Sequence, residues 1–417
     1  MTTVADHETE YVLVTEYFHP ETASTGQLMT DLAVGLQDRG LDLTVYTGQP
    51  NYHSGDNDRQ PRESTHEGVD VRRIRAPQVR QSSLLRRCFN WVMFTVWMFL
   101  RLLISRTDRN RELIVVSNPP FLPGAMWLAC RLRGWEYTFI VYDVYPDMAV
   151  ESGYFRRGGI IDEAWSAGTQ RILRDAKNIV ALGPEMREKL LEHAGPEYEP
   201  ERIKIIDNWE DEEFIEPKAK GENWFAQQHD LLNEFILLYS GNIGDNHDLE
   251  TVVRAAPEFE SGMVKILIIG EGDEKERIEG LADSLDVLGD TVRFLPYQDL
   301  EDLPFSLTAG DVSLVTVSEG MKGVCVSSKL YTCMAAGMPI LVISEPGDDE
   351  ARIVEKYGAG VHATQGDVEA IVETINHWME NPSLVEQQGA NARRAFEENF
   401  TKKEAIDDYY HLLSNTE

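Results

Sequence analysis

The sequence predicts an α/β protein built from two consecutive doubly wound parallel sheets. Three observations carry this. The chain has 417 residues, too many for one ordinary core and suited to two domains of roughly 200 residues. Short apolar, β-branched runs alternate with helical patterns. That alternation lapses in a polar stretch after residue 209 and then starts again.

In the first half, strands are expected at 11–15, 43–47, 69–73, 113–117, 138–142, 179–182 and 203–206. Helical patterns between them include 27–37 and 160–174. Strands this uniformly apolar fit a parallel sheet covered on both faces. The segment 209–228 is polar, lacks periodicity and contains Pro217 and Gly221, so 211–234 reads as a linker between a domain at 1–210 and one at 235–398. In the second half, strands are expected at 236–239, 264–269, 292–295, 312–317 and 340–343, with helices at 249–256, 274–285 and 329–336. A last helix, 402–413 within the terminal segment 399–417, is expected to pack back on the N-terminal domain. Sheets of this kind bind ligands at the carboxyl ends of their strands, so a site is expected in a cleft that the two domains face across.

The net charge is −32, with 71 acidic against 39 basic residues. Such a surface repels nucleic acid, and it stays soluble where salt screens it, which reads as adaptation to high ionic strength. Cys88, Cys130, Cys325 and Cys333 sit among apolar residues with no metal-ligand spacing, as expected of buried thiols in a reducing cytoplasm. The N-terminal decapeptide is polar and acidic and lacks the pattern of a secretory signal.

One region breaks the charge rule. Residues 71–111 hold ten Arg and one acidic residue, Asp108. Within it, 88–104 is apolar apart from a few residues, and Arg101 interrupts it. A helix rich in Trp, Phe and Met with Arg at both ends fits one lying in a headgroup layer better than one crossing a bilayer. The segment 84–106 is therefore expected to face an anionic membrane surface, with 71–111 supplying the charge. A peripheral position on the inner face of the cell membrane follows.

The motif richest in chemistry is the run from Gly323 to Pro339. Ser327 or Ser328 is positioned to cap a helix whose first turn holds Lys329. A lysine there opposes the helix dipole unless an anion is bound, which points to a diphosphate. Upstream, the strand at 264–269 runs into Gly270-Glu271-Gly272, a turn that lets a nucleotide approach the backbone, or one that simply joins strand to helix. In the first half, Gly26 is expected at a loop–helix junction that lets a ligand's phosphates approach, and His19 reads as a loop residue. Asp143 ends the strand at 138–142, where a carboxylate can orient an acceptor hydroxyl. Asp56-Asn57-Asp58 has the form of a metal-chelating DxD, but no strand pattern supports it and no metal site is expected.

Taken in order, several short segments resemble glycosyltransferase family 4, whose fold is GT-B, two Rossmann-like domains. They are Tyr17-Phe18-His19-Pro20-Glu21 with Gly26, Thr47-Gly48-Gln49-Pro50-Asn51-Tyr52, Asn118-Pro119-Pro120, and Asp143-Val144-Tyr145-Pro146-Asp147. Asp207-Asn208-Trp209, Tyr239-Ser240-Gly241-Asn242-Ile243-Gly244, Ser328-Lys329-Leu330-Tyr331, Met334-Ala335-Ala336-Gly337 and Gly347-Asp348-Asp349-Glu350-Ala351-Arg352 follow. The branch they resemble makes fucosamine- and colanic-acid-type surface polysaccharides. The resemblance implies retaining transfer of a hexose-type sugar from a nucleotide-sugar donor to a lipid-linked glycan acceptor, without cofactor or metal. It also exposes two departures. Val324 and Thr332 stand where the family has a pair of Glu, and Asn242 and His247 stand where it has a basic diphosphate clamp. Glu350 is thereby expected to contact donor-sugar hydroxyls and Lys329 to carry most of the phosphate charge, with Ser327, Ser328, Asn242 and Gly26 beside it. Two other readings share the fold: a sugar-nucleotide epimerase, which needs no acceptor or membrane segment, and a non-catalytic nucleotide-sugar-binding subunit.

Overall fold

The computed structural model describes residues 9–21, 23–50, 59–79, 84–107, 109–260 and 262–414. The chain divides into two compact units, Met1–Asp207 with Ala405–Glu417, and Asn208–Glu404.

The first unit runs β1 (Glu10–Val14), α1 (Ser24–Asp38), β2 (Leu43–Thr47), β3 (Glu63–His66), β4 (Val69–Arg73), α2 (Leu84–Leu103), β5 (Arg111–Val116) and α3 (Leu122–Arg133). It continues through β6 (Glu136–Ile140), α4 (Asp147–Glu151), α5 (Ile160–Asp175), β7 (Asn178–Ala181), α6 (Pro184–Ala194) and β8 (Ile203–Ile205). The sheet order is β3-β4-β2-β1-β5-β6-β7-β8, parallel except for β3. Residues of β1, β2 and β5 are buried almost throughout, which explains why they read as unbroken apolar runs. Right-handed crossovers put α2, α3, α5 and α6 on one face, where each packs against the next. On the other face lies α1, and the C-terminal residues close over it: a Cβ on Gly35 would come within 2.4 Å of Ile406. Tyr11 Oη donates to the Leu413 carbonyl at 2.9 Å, and Arg39 pairs with Asp407 at 2.6 Å.

Strand β3 has no apolar signal. It is a polar edge strand, turned against β4 by Glu67 and Gly68, both at positive φ. The apolar 88–104 run is sorted by helical geometry. Asn90, Phe94, Met98 and Leu102, four apart, face inward, while Leu85, Phe89, Val92, Val96, Trp97 and Leu100 are exposed. Asn90 is tolerated in the buried row because its amide bonds both the N–H and the carbonyl of Val79. Among the described residues, no helix is long and apolar enough to cross a membrane.

The basic stretch needs correction as a uniform surface patch. Arg111 is buried and chelates Glu10, Arg73 is buried against Ser64 and the His19 carbonyl, and Arg72 bonds the Tyr46 hydroxyl. Several of the ten Arg therefore tie strands and loops together, and fewer remain to meet lipid.

The second unit holds α7 (Trp224–Gln228), β9 (Phe235–Ser240), α8 (Glu250–Ala255), β10 (Val264–Ile269), α9 (Lys275–Ser284), β11 (Val292–Leu295) and α10 (Leu303–Ser306). Then come β12 (Val312–Thr316), α11 (Lys329–Ala335), β13 (Ile340–Ile343), α12 (Asp349–Tyr357), β14 (Gly360–Ala363), α13 (Val368–Glu380) and α14 (Pro382–Asn399). Helix α15 (Lys402–Ser414) begins in this unit and continues into the first. The sheet order, β11-β10-β9-β12-β13-β14, is wholly parallel and reverses direction between β9 and β12. That reversal is the topological switch point at which such sheets open a ligand crevice.

The segment read as a linker is part of this unit. Phe225, Ala226 and Leu231 form a core cluster with Ile236, Leu238 and Leu267, and Asn223 caps α7. Its polarity misled because few of its residues are apolar, but Ile215, Phe225, Ala226 and Leu231 among them are fully buried.

Candidate active site

The side chains gathered at the switch point of the second unit start from β9 and β12. After β9 the chain turns through Gly241 at positive φ, and after β10 through Gly270. A Cβ on Gly270 would lie 1.9 Å from the Gly241 carbonyl, and one on Gly272 2.1 Å from that of Ile243. The two glycines are thus required by the neighbouring loop, whatever binds there. Glu271 between them is exposed and pairs with Lys275 at 2.8 Å.

Gly241 has a second role. Its missing Cβ makes room for Lys329, whose Cε would otherwise sit 2.3 Å away. Lys329 crosses back over β9, with Nζ 5.3 Å from the centre of the Tyr239 ring and 3.0 Å from His247 Nε2. No carboxylate among the described residues forms an ion pair with it. Burial lowers its pKa to about 8. His247 Nδ1 lies 2.8 Å from the Thr316 carbonyl at the end of β12. A carbonyl only accepts, so the ring proton sits on Nδ1 and Nε2 accepts from the Lys329 ammonium. Burial, and then the Lys329 charge, press the His247 pKa down to about 3, so the imidazole is neutral.

The expected serine cap is absent. Ser328 is the N-cap of α11 by position, but it has helical dihedrals and no side-chain cap bond. The Ser327 hydroxyl is buried without a partner. What fixes this loop is Glu350, whose Oε1 accepts from the Ser327 backbone N–H at 2.5 Å. Glu350 itself is fully buried in the first turn of α12, behind Asp348, which caps that helix. Burial raises its pKa well above the usual range, and that of Asp348 to about 7. Sequence leads one to expect Glu350 to touch sugar hydroxyls; in this structure it is closed to solvent and one carboxylate oxygen holds the Ser327 backbone. Glu350 Oε2, Asp348 Oδ2 and Thr316 Oγ1 join Ser327 Oγ as buried polar atoms without partners. Asn242 is exposed on the loop after β9, its carbonyl accepting from the Tyr239 hydroxyl at 2.5 Å. Of the two positions where the resemblance led one to look for Glu, Val324 is core, while the Thr332 hydroxyl donates to Glu210 Oε2 at 2.8 Å.

In the first unit, Gly26 is inside α1, two residues past its start, not at a junction. It is held small by Tyr17 and the Glu21 carbonyl, both 3.2 Å from where a Cβ would be. His19 stacks on His66 at 3.9 Å, as befits a loop residue. Asp143 follows β6, its backbone N–H donating to Ser117 Oγ at 2.9 Å, and it borders a small apolar cavity walled by Phe139, Val141, Trp165 and Leu190. Burial raises it to about 6, a value suited to exchanging a proton near neutrality. Asp147, four residues on, is different. Burial alone would raise it, but His193 and Arg157 hold it down to about 2. Glu16, just after β1, is pushed to about 8 by burial, and nothing in its sequence context signals this. The DxD at 56–58 lies outside the described residues.

Comparisons with known proteins concern the family and the fold. Residues 25–209 match the model of the glycosyl transferase 4-like domain, and 221–395 that of the glycosyl transferases group 1. The chain is 25% identical to the putative colanic acid biosynthesis glycosyl transferase WcaI of Escherichia coli over 94% of its length and 96% of the relative's. It is 25% identical to the probable glycosyltransferase WbjE of Pseudomonas aeruginosa over 82% and 83%. Its backbone is similar to that of a sucrose-phosphate synthase from Thermosynechococcus elongatus, with TM-score 0.76 and 17% identity over 98% of both chains.

Proposed function

The chain belongs to the glycosyltransferases of the GT-B fold, and on that premise we propose that it moves a hexose-type sugar, with retention and without a bound metal, from a nucleotide-sugar to a lipid-linked glycan acceptor. The observation that supports this reading most is Lys329, a partly buried ammonium at a switch point with no carboxylate in ion-pair contact among the described residues. A donor diphosphate supplies the missing charge. As the sugar leaves, negative charge grows on that diphosphate, and a preorganised cation stabilises it most at that moment. Ser327 and Ser328 beside it, with Asn242 and the Gly270-Glu271-Gly272 turn, line the donor's path. In the first unit, Asp143 orients the acceptor hydroxyl and takes its proton or passes it on.

The linkage has a definite sign. Free Lys329 titrates near 8, and a bound diphosphate raises that value. Donor affinity is therefore flat below about pH 7 and falls about tenfold per pH unit above 8, where binding must first recruit a proton. Asp348, near 7, changes charge inside the scanned range, so the slope above pH 8 is the part that reports Lys329; His247 titrates far below it. Calorimetry from pH 6 to 9.5 reads this directly, and a flat profile would remove Lys329 from the phosphate site.

For the membrane part, the support is the exposed row on α2 with Arg on the same helix and no acidic residue in it. A Phe89→Glu, Trp97→Glu double variant is expected to lose at least tenfold in partition onto vesicles containing anionic lipid, since each aromatic contributes about 1.5–3 kcal/mol when buried. Equal flotation of variant and wild type would locate the contact elsewhere. A panel of nucleotide sugars incubated with membrane extract tests the activity itself: transfer of label to lipid supports the reading, and isomerisation without transfer overturns it.

A further inference from the structure

We propose that His247 is the positioning residue of the anion site: a neutral imidazole, locked by the Thr316 carbonyl, that holds the Lys329 ammonium in place through Nε2. This rests on the reading of Lys329 as the phosphate-binding group. The case is geometric. Lys329 reaches its site over a long flexible stem, through the gap left by Gly241. Such a side chain has about 2 kcal/mol of rotamer entropy, so an unheld ammonium would spread over many positions. The described structure offers it two directional restraints, the Tyr239 ring face at 5.3 Å and His247 Nε2 at 3.0 Å. Of these, only the imidazole lone pair is a hydrogen-bond acceptor. It is aimed because Nδ1 is tied to Thr316 at 2.8 Å, and that carbonyl ends β12, the strand at the switch point. The chain thus runs from a rigid strand end through a ring of fixed tautomer to the charge.

The chemistry is compatible with turnover. An ammonium has three N–H groups, and His247 uses one, leaving the others for phosphate oxygens. A second cation at this place would repel Lys329, and burial keeps the imidazole uncharged, so it orients the ammonium without competing for the anion. The acceptor also favours the charged form of the amine. The other groups facing Lys329 are Tyr239 on β9, Cys325 in the preceding loop, Cys333 on α11 and Glu350 on α12. Burial raises the Cys333 thiol to about 11 and the Glu350 carboxyl well above the usual carboxylate range, and among the described residues His247 is the one in hydrogen-bond contact with the Lys329 ammonium.

Two variants separate positioning from packing. His247→Leu keeps the bulk and removes both ring nitrogens. His247→Gln restores an oxygen that can accept from Lys329. The first readout needs no ligand: the pH dependence of Lys329 acylation by an amine-reactive label, followed by mass spectrometry. The leucine variant is expected to titrate about one pH unit lower than wild type, and the glutamine variant close to it. The second is inorganic diphosphate binding at pH 7, expected to weaken about tenfold in the leucine variant and to recover to within about threefold in the glutamine variant. An unchanged titration and affinity in His247→Leu would overturn the proposal. So would equal losses in both variants, which would make His247 a packing residue only. If wild-type protein bound no diphosphate, the donor-site reading would fail, while the acylation titration would still decide whether His247 positions the amine.

Discussion

Replacing Lys329 by Ala lowers kcat/KM for the donor by about 10²–10³, the range seen when one preorganised charge-stabilising group is removed. The loss is large because other lysines of this unit are already engaged, Lys275 with Glu271 and the Gly270 carbonyl, and Lys322 with the Pro346 carbonyl. Asn242 and His247 occupy the places of the usual basic pair, the first neutral and the second pressed to a pKa of about 3. Stability moves the other way. The folded-state pKa of Lys329, about 8, lies below its unfolded value near 10.4, so at pH 7 folding confines a charge it would prefer to hydrate. Lys329→Met is expected to melt a few degrees higher than wild type while losing activity to the same extent. A variant that lost activity and also melted lower would assign Lys329 a structural role.

The second large effect concerns the first unit. Asp147→Ala costs about 3–5 kcal/mol of folding stability, because it strands His193 and leaves Arg157 without its buried partner. Asp147 is fully buried, whereas the Arg157 side chain is half exposed, so Arg157→Ala costs about 1 kcal/mol or less. The pH signature follows from a depressed carboxylate. Its stabilisation is complete above the unfolded value near 4 and is lost as the pH falls toward 2. Urea denaturation from pH 2 to 7 measures both. A loss under 1 kcal/mol in Asp147→Ala would mean that the triad is only a surface contact.

The parallel strands were legible because burial on both faces leaves them uniformly apolar. Strands β2, β4, β10, β11 and β13 have the bounds expected from sequence. The strands not anticipated are edges. Glu63–His66 is polar and alternating, and Gly360–Ala363 is four residues long with a glycine pressed against the Ile340 carbonyl. Sequence singles out Lys329 as a charge opposed to a helix dipole, and the structure arranges its neighbours differently from expectation. Serine before a helix reads as a cap, and whether it caps depends on a dihedral that composition does not encode. A glutamate reads as exposed, and Glu350 is fully buried. His247 was visible only as an exception to a family pattern. Its role depends on Thr316, 69 residues away, and strand topology alone brings the two together.

Helix α15 has a consequence for how the protein is made. Residues from Ala405 onward complete the first unit, covering Gly35 with Ile406 and anchoring Tyr11 through Leu413. A ribosome delivers β1 well before α15. The residues of the first unit up to Asp207 therefore wait, with one helical face uncovered, until the whole second unit has been made. Expression of residues 1–207 alone should yield a product prone to association.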